Sequence, residues 1–305
     1  GMGCLEVMLE EGARDDWFDT EYIRWLALIS ASCLFLFARK QLASEHPLVN
    51  LRLFKNRDFT LACISYFVLG AALFGSVYLV PLYLASVQDY TALDIGLVLM
   101  WVGFPQLPFF PLIPRLLKHI DAKYLVAFGF LVVGGSMFMN VHMTSNYTGA
   151  YLIPALLVRA IGQPFIIVPL SILSSQNLDP KEVPSASTLY NVMRNLGGAV
   201  GIAMLATALE YRTDVHLADL QQRIVVGSQN ALEYLRQLGD MLQAGGGSAD
   251  QSYGVLMAEL HTQAMVMSYN EAFFGLGIAL LLASVVSLSI RPAAAQADIA
   301  EAPVH

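Results

Sequence analysis

Two arginines stand inside long apolar runs of this chain. Arg159 lies near the middle of YLIPALLVRAIGQPFIIVPL, residues 151–170, and Arg194 lies in NVMRNLGGAVG, residues 191–201. At the centre of a bilayer an arginine costs about 2.5–3.5 kcal/mol, whereas each Leu, Ile, Phe or Val gains about 0.3–0.6. The first run holds eleven such residues, enough to offset its arginine. A lipid-facing guanidinium is still disfavoured, so Arg159 is expected to point into a helix bundle or a watery cavity. Gln163, one turn on, shares its face. Two roles are open to Arg159: bonding neighbouring carbonyls to lock helices together, or lining a cavity or gate. Arg194 sits about two turns inside its run, close enough to the end for its side chain to reach the headgroups. The small residues after it form a flat strip: Gly197 and Gly201 are four apart, Gly198 adjoins, and Ala199 and Ala203 continue the line. Such a strip lets two helix backbones approach closely, which serves rocking helices and static packing equally.

A third run carries Pro105, Pro108, Pro111 and Pro114, each three apart, with Gln106 among them. The missing amide donors leave carbonyls that lipid cannot satisfy, so this segment must kink or partly unwind where protein or water can reach it. Gln106 is a candidate cavity residue. Carboxylates are scarce where they would matter: Asp94, Glu210 and Glu271 lie near the ends of apolar runs, with none near a middle. Proton-coupled pumps commonly rely on a buried carboxylate, and this chain does not visibly supply one. Asp179, Lys181 and Glu182 read as a solvated charge cluster. No nucleophile–base pairing, metal cluster or phosphate loop is present, so the sequence does not read as an enzyme and implies no metal or cofactor. Cys4, Cys33 and Cys63 lack metal spacing and are expected as small core residues rather than a disulfide frame.

The elements that hold these residues follow from composition. Charged residues make up 13% of the 305 and apolar residues 56%, against roughly 25% and 45–50% in ordinary soluble domains. The net charge of −7 argues against nucleic acid as a partner. A spanning helix needs about 20 mostly apolar residues. Segments near 22–38, 59–87, 93–114, 123–142, 149–172, 188–210 and 264–290 qualify or nearly do, which predicts an all-α membrane protein with about seven transmembrane helices. The first is no secretory signal, because acidic residues precede it and Arg39 and Lys40 follow it. Short connections alternate between basic ones, with Arg52, Lys55, Arg57, Arg115, Lys118, Lys123 and Lys181, and the bare loops SVQDYTA and HMTSNYT. The positive-inside rule puts the basic set in the cytoplasm, together with Arg291 after the last span. Residues 1–21 and 211–262 then lie outside. The sequon NYT at 146–148 is too close to the spans to count. Segment 211–262 has leucines at near-helical spacing up to a GGGS break at 245–248. It is expected to prolong the sixth span as an amphipathic helix, either lying on its own bundle or docking a partner.

The chain resembles the carboxyl-terminal half of the fourteen-span drug:proton antiporters of the major facilitator superfamily, in the EmrB/QacA branch. The likeness rests on HPLVNLRLFKNRDF (46–59), YTALDIGLVL (90–99), RAIGQPFIIVPL (159–170), SASTLYNVMRNLGGAVG (185–201) and QAMVMSYNEAFF (263–274), preceded by LEVMLEEGARDDWFD (5–19). It implies a half-bundle of that superfamily. Residues 1–21 would form an external hairpin segment, 22–45 an extra central helix and cytoplasmic linker, 46–290 the six-helix bundle, and 291–305 a cytoplasmic tail. It places Arg194, Asn191 and Asn195 beside the central pathway for gating or cavity lining, with Gly197, Gly198 and Gly201 packing the helix. The cytoplasmic latch usually written Gly-Arg-Leu-x-Asp-Arg is altered here to PRLLKHIDAK: Arg115 is kept, Pro114 replaces the glycine, and Asp121 is the available acidic partner.

What the resemblance implies for function is one wall of a proton-driven exporter of drugs or amphiphiles, multi-pass in the bacterial cytoplasmic (inner) membrane and working by alternating access. Its partners would be a small amphiphilic substrate, protons, the lipid bilayer and a missing amino-terminal half. In double-membraned bacteria a periplasmic adaptor and an outer-membrane channel would join them. A first residue that is Gly rather than Met reads as a piece of a longer frame. The competing expectation is a truncated membrane protein that no longer transports, surviving as a remnant or assembly partner.

Overall fold

The computed structural model describes residues 1–12, 17–43, 50–176, 178–225 and 249–291. All the regular elements among them are helical: α1 (Met2–Glu11), α2 (Glu21–Ala43), α3 (Arg57–Ser86), α4 (Ala92–Gly103), α5 (Ile113–Leu116), α6 (Ala122–Phe138), α7 (Gly149–Ser175), α8 (Val183–Val225) and α9 (Ala249–Leu288), with 3-10 turns at Trp17–Asp19, Leu51–Lys55 and Phe104–Phe109. Six helical stretches are long and apolar enough to cross a bilayer, and α6 is a shorter apolar helix between them. The count agrees with the seven segments read from the sequence, with α6 the marginal one.

Local sequence explains where these helices begin. The Asn56 side chain accepts from the amides of Asp58 and Phe59, capping α3, and Thr91 and Asp94 form a reciprocal capping box on α4. Prolines end α4 early. Pro105 and Pro108 fall in a 3-10 turn and Pro114 opens the short α5, so the third span is partly unwound, as its missing amides require. At 43 residues α8 is about 64 Å long, twice the hydrocarbon thickness, and projects well past any bilayer. This is the prolongation anticipated for residues beyond 210, followed as far as Val225; the leucines at 232–242 and the GGGS break lie outside the described residues.

Polar contacts gather at the two ends of the bundle. At the basic end Asn50 Nδ2 donates to Glu182 Oε1 (2.9 Å), Gln176 Nε2 to the Arg291 carbonyl (2.8 Å), and the Arg291 amide to Asp58 (3.2 Å). Glu182 is therefore a tie between loops rather than a solvated charge. At the bare end Tyr83 Oη donates to the carbonyls of Thr144 and Tyr147, and Gln263 Nε2 reaches Ser145 Oγ. Between them lies an apolar core built on Leu69, Leu79, Phe130, Ile166, Leu170, Phe273 and Leu280, all fully buried. The most extensive helix pairings are α3 with α8, α6 with α7 and α9 with α6.

Residues 1–21 contain α1, which packs between α2 and α8, and Trp17, whose Nε1 donates to Thr207 Oγ1 of α8 at 3.2 Å. The α2 helix buries little: Trp25, Leu28, Phe35 and Leu36 are exposed along it. The cysteines divide accordingly. Cys63 on α3 is buried, Cys4 half-buried and Cys33 on α2 exposed. The expectation that all three are core residues is thus corrected, because α2 touches too little of the bundle to bury its own apolar side chains.

Candidate functional site

The site begins at the α3–α8 crossing. An added Cβ at Gly197 would lie 2.0 Å from the Phe67 carbonyl oxygen, and one at Gly70 would lie 1.9 Å from the Arg194 carbonyl oxygen. At Gly201 it would lie 2.7 Å from Ala71 Cα, and at Gly198 it would meet the Phe74 ring at 2.3 Å. Backbone therefore touches backbone on both sides, a distance reachable only without side chains. The facing glycine, Gly70, carries no motif in the sequence and is recognised only once the two helices are paired.

This crossing sets Arg194 against the middle of α3. Its backbone abuts Gly70, its side chain is half-buried near Tyr66, and its Nε is buried without a protein partner. Tyr66 stacks on Tyr190 with ring centroids 4.5 Å apart. Arg159, on α7, is 2% exposed and reaches the same stretch of α3: its Nη2 donates to the Leu73 carbonyl at 3.3 Å. Arg159 thus reaches α3 by its side chain at Leu73, whereas Arg194 meets α3 by its backbone at Gly70 and by its side chain near Tyr66. Arg159 Nε and Gln163 Oε1, one turn further along α7, are buried without partners as well. A buried polar group left unpaired costs about 1–3 kcal/mol, more when charged.

The remaining candidates fall into three places. Asn195 is exposed and lines a cavity of about 430 Å³ with Gly198, Ala199 and Ile202 of α8, Phe74 and Tyr78 of α3, and Glu6 and Leu9 of α1. Asn191 is half-buried and spends its amide on the Ser187 carbonyl of its own helix (2.8 Å). Gln106 is half-buried in the proline-rich 3-10 turn, away from the α3–α8 crossing. Arg115 and Asp121 are both exposed at the basic end, and no ion pair joins them.

Sequence reasoning missed a polar cluster where α8 and α9 leave the apolar core. Arg212 donates through both Nε and Nη2 to the two Glu271 carboxylate oxygens, and His216 Nε2 lies 3.1 Å from Glu271 Oε1. One turn away Thr213 Oγ1 donates to Ser268 Oγ at 3.1 Å. The available signal was opposite charge near the same end of two adjacent apolar runs, Arg212 just past 188–210 and Glu271 early in 264–290. Asn270 was also missed: its side chain accepts from the Met143 amide and donates to the Met143 carbonyl, both at 3.0 Å.

The sequence profile of the Major Facilitator Superfamily matches residues 16–202, more than half of the chain. The chain belongs to this superfamily. Its relatives include the colistin resistance protein EmrB of Acinetobacter baumannii, 30% identical over 94% of this chain and 56% of that protein. The multidrug export protein EmrB of Escherichia coli K12 is 28% identical over 96% of this chain and 57% of its own length. The fatty acid resistance protein FarB of Neisseria gonorrhoeae is 27% identical over the same shares. The chain spans about half the length of the curated relatives it matches. Superfamily membership and the helices long enough to cross a bilayer agree with the half-bundle architecture that the sequence resemblance implies.

Proposed function

We propose that this chain is one wall of a proton-driven exporter of drugs or amphiphiles that works by alternating access, the second wall being an amino-terminal half. The observation that carries the reading is the set of orphaned polar atoms at Arg159 Nε, Gln163 Oε1 and Arg194 Nε. They belong to the membrane part of α7 and α8, where hydrocarbon offers no partner. A packed helix bundle complete in itself would have no reason to retain them. A pathway crossed by polar or charged molecules does.

The cavity beside Asn195 fits that role. Its glycines and alanines give a shallow wall, and Phe74 and Tyr78 offer ring faces and edges to an amphiphile. Glu6 is the one acidic residue lining it among the described residues, and it is exposed on α1. Beyond Glu6, coupling to protons draws on carboxylates from the other half. Arg194, Asn195 and Asn191 line or gate the pathway, Arg159 and Gln163 border it, and Gln106 serves at the unwound third span. Arg115 and Asp121 act at the basic end, which the distribution of Lys and Arg turns to the cytoplasm of the inner membrane. The Gly197, Gly198 and Gly201 contact is the surface on which α8 tilts during the cycle. A periplasmic adaptor and an outer-membrane channel complete the route in double-membraned bacteria. The relatives' names, citing multidrug export, colistin resistance and fatty acid resistance, support this class of substrate.

The test is dye retention in efflux-deficient cells expressing this chain alone, or joined to an amino-terminal half from a relative. Extrusion by the joined protein and none by the chain alone is the expected result. Equal extrusion by both would refute the division of labour, and none from either would favour a non-transporting remnant.

A further inference from the structure

A second cavity, of about 480 Å³, opens on a different face of α8 from the Asn195 trough. It runs along the seam between α8 and α9. Its sides are Gly201, Met204 and Ala208 on α8 and Gly275 on α9, and Phe67 of α3 closes its deep end. Met204, Ala208 and Gly275 are exposed, so the seam is open outward along its length. Its one charged end is Arg212 with Glu271.

We propose that this seam holds one acyl chain of a zwitterionic phospholipid, with the headgroup seated on the Arg212–Glu271 pair. Length is the first argument. From Gly201 to Arg212 the helix rises about 16 Å, at 1.5 Å per residue, which is one leaflet of a hydrocarbon core about 30 Å thick. The charged pair therefore stands at headgroup level when the deep end lies at the bilayer midplane. Charge is the second. The Arg212 and Glu271 side chains are 40% and 42% exposed, so both remain reachable while bonded to one another. Two of the guanidinium's five N–H groups are used on Glu271, leaving others for a phosphodiester. The carboxylate beside it accepts an ammonium. An anionic headgroup would satisfy Arg212 and set its surplus charge against Glu271, so a head carrying both signs is the better match. Shape is the third: the small side chains of Gly201, Ala208 and Gly275 leave a groove open along the seam, as on helix faces built for close approach.

The test is native mass spectrometry of the full 305-residue chain, delipidated in detergent and titrated with phosphatidylethanolamine, phosphatidylglycerol or oleate of matched chain length. One phosphatidylethanolamine should bind saturably, at least fivefold tighter than phosphatidylglycerol and tighter than oleate. Gly275→Leu fills the seam, since a side chain there meets nothing within 4 Å, and should weaken that binding at least tenfold with an unchanged melting midpoint. Ala208→Leu fills it from the other wall and should do the same. Glu271→Gln should bring the two phospholipids within twofold of each other. A phosphatidylethanolamine preference under twofold in the unaltered chain overturns the proposal, as does undiminished binding in both filled variants. Tighter binding of oleate at the seam overturns it too, and assigns the groove to free fatty acids.

Discussion

Replacing Gly197 with alanine would put a methyl carbon 2.0 Å from the Phe67 carbonyl oxygen. Ordinary contact begins near 3.4 Å, so α3 and α8 must part by roughly 1.4 Å at their crossing. Neither atom can move aside alone, because both belong to helix backbone. A gap of only 0.5–1 Å already forfeits about a quarter to a half of a contact's dispersion energy, and α3–α8 is the most extensive helix pairing in the molecule. Overpacking costs about 1–3 kcal/mol where side chains can adjust; with backbone on both sides we expect the upper end, about 3 kcal/mol. At about 2 °C per kcal/mol for a chain of this size, the melting midpoint in detergent should fall by about 6 °C. Gly198→Ala meets the Phe74 ring, which can swing, and should cost about 1 kcal/mol. Gly275→Ala enters open space and should not lower the midpoint. Gly70→Ala, which collides with the Arg194 carbonyl, should match Gly197→Ala, and the double variant should cost less than their sum, because helices already parted accept the second methyl. Were Gly197→Ala to melt with Gly275→Ala, the crossing would not be the contact that positions α8.

Three other perturbations follow from single contacts. Asn270→Leu strands both polar groups of Met143 and should destabilise by about 2–3 kcal/mol, read as a fall in melting midpoint. Tyr83→Phe removes the hydroxyl shared by the Thr144 and Tyr147 carbonyls; a loss of about 0.5–1.5 kcal/mol in the same assay is expected. Arg159→Leu exchanges a buried cation for an apolar side chain and should leave stability within about 1 kcal/mol, while efflux by the chain joined to an amino-terminal half falls at least tenfold. A large stability loss with efflux that merely tracks protein level would make Arg159 a lock between α7 and α3 rather than a pathway residue.

Much of this architecture was legible in the residues themselves. Spans could be placed because lipid demands a length and a composition, and the unwound third span because four prolines remove amides that hydrocarbon cannot replace. The strip at Gly197, Gly198 and Gly201 announced a close contact without naming its partner. Gly70 forms no spaced glycine motif in its apolar run, and only the pairing of α3 with α8 gives it meaning. Asn270 and Glu271 stayed hidden for a related reason: their partners, Met143 and Arg212, are distant in sequence, and side-chain periodicity carries no information about which loop a helix will meet. The α1 helix is short and weakly patterned, and its position against α8 depends on Trp17 reaching Thr207, a contact no local signal encodes.

The charge distribution in the candidate pathway constrains what must meet it. Arg159 and Arg194 both reach α3, at Leu73 and near Tyr66, and each keeps a buried nitrogen without a protein partner. The acids of α3, α4, α8 and α9 that are closest in sequence to the spans' interiors, Asp58, Asp94, Glu210 and Glu271, sit toward their ends, two of them engaged in a helix cap or an ion pair. A buried cation is poorly solvated, a cost that an opposite charge relieves. Under the proposed function that charge comes from the facing half or from an anionic group in transit. The two sources compete for the same guanidinium nitrogens. Under that proposal, competition of this kind lets a substrate's arrival release a carboxylate of the facing half to be protonated.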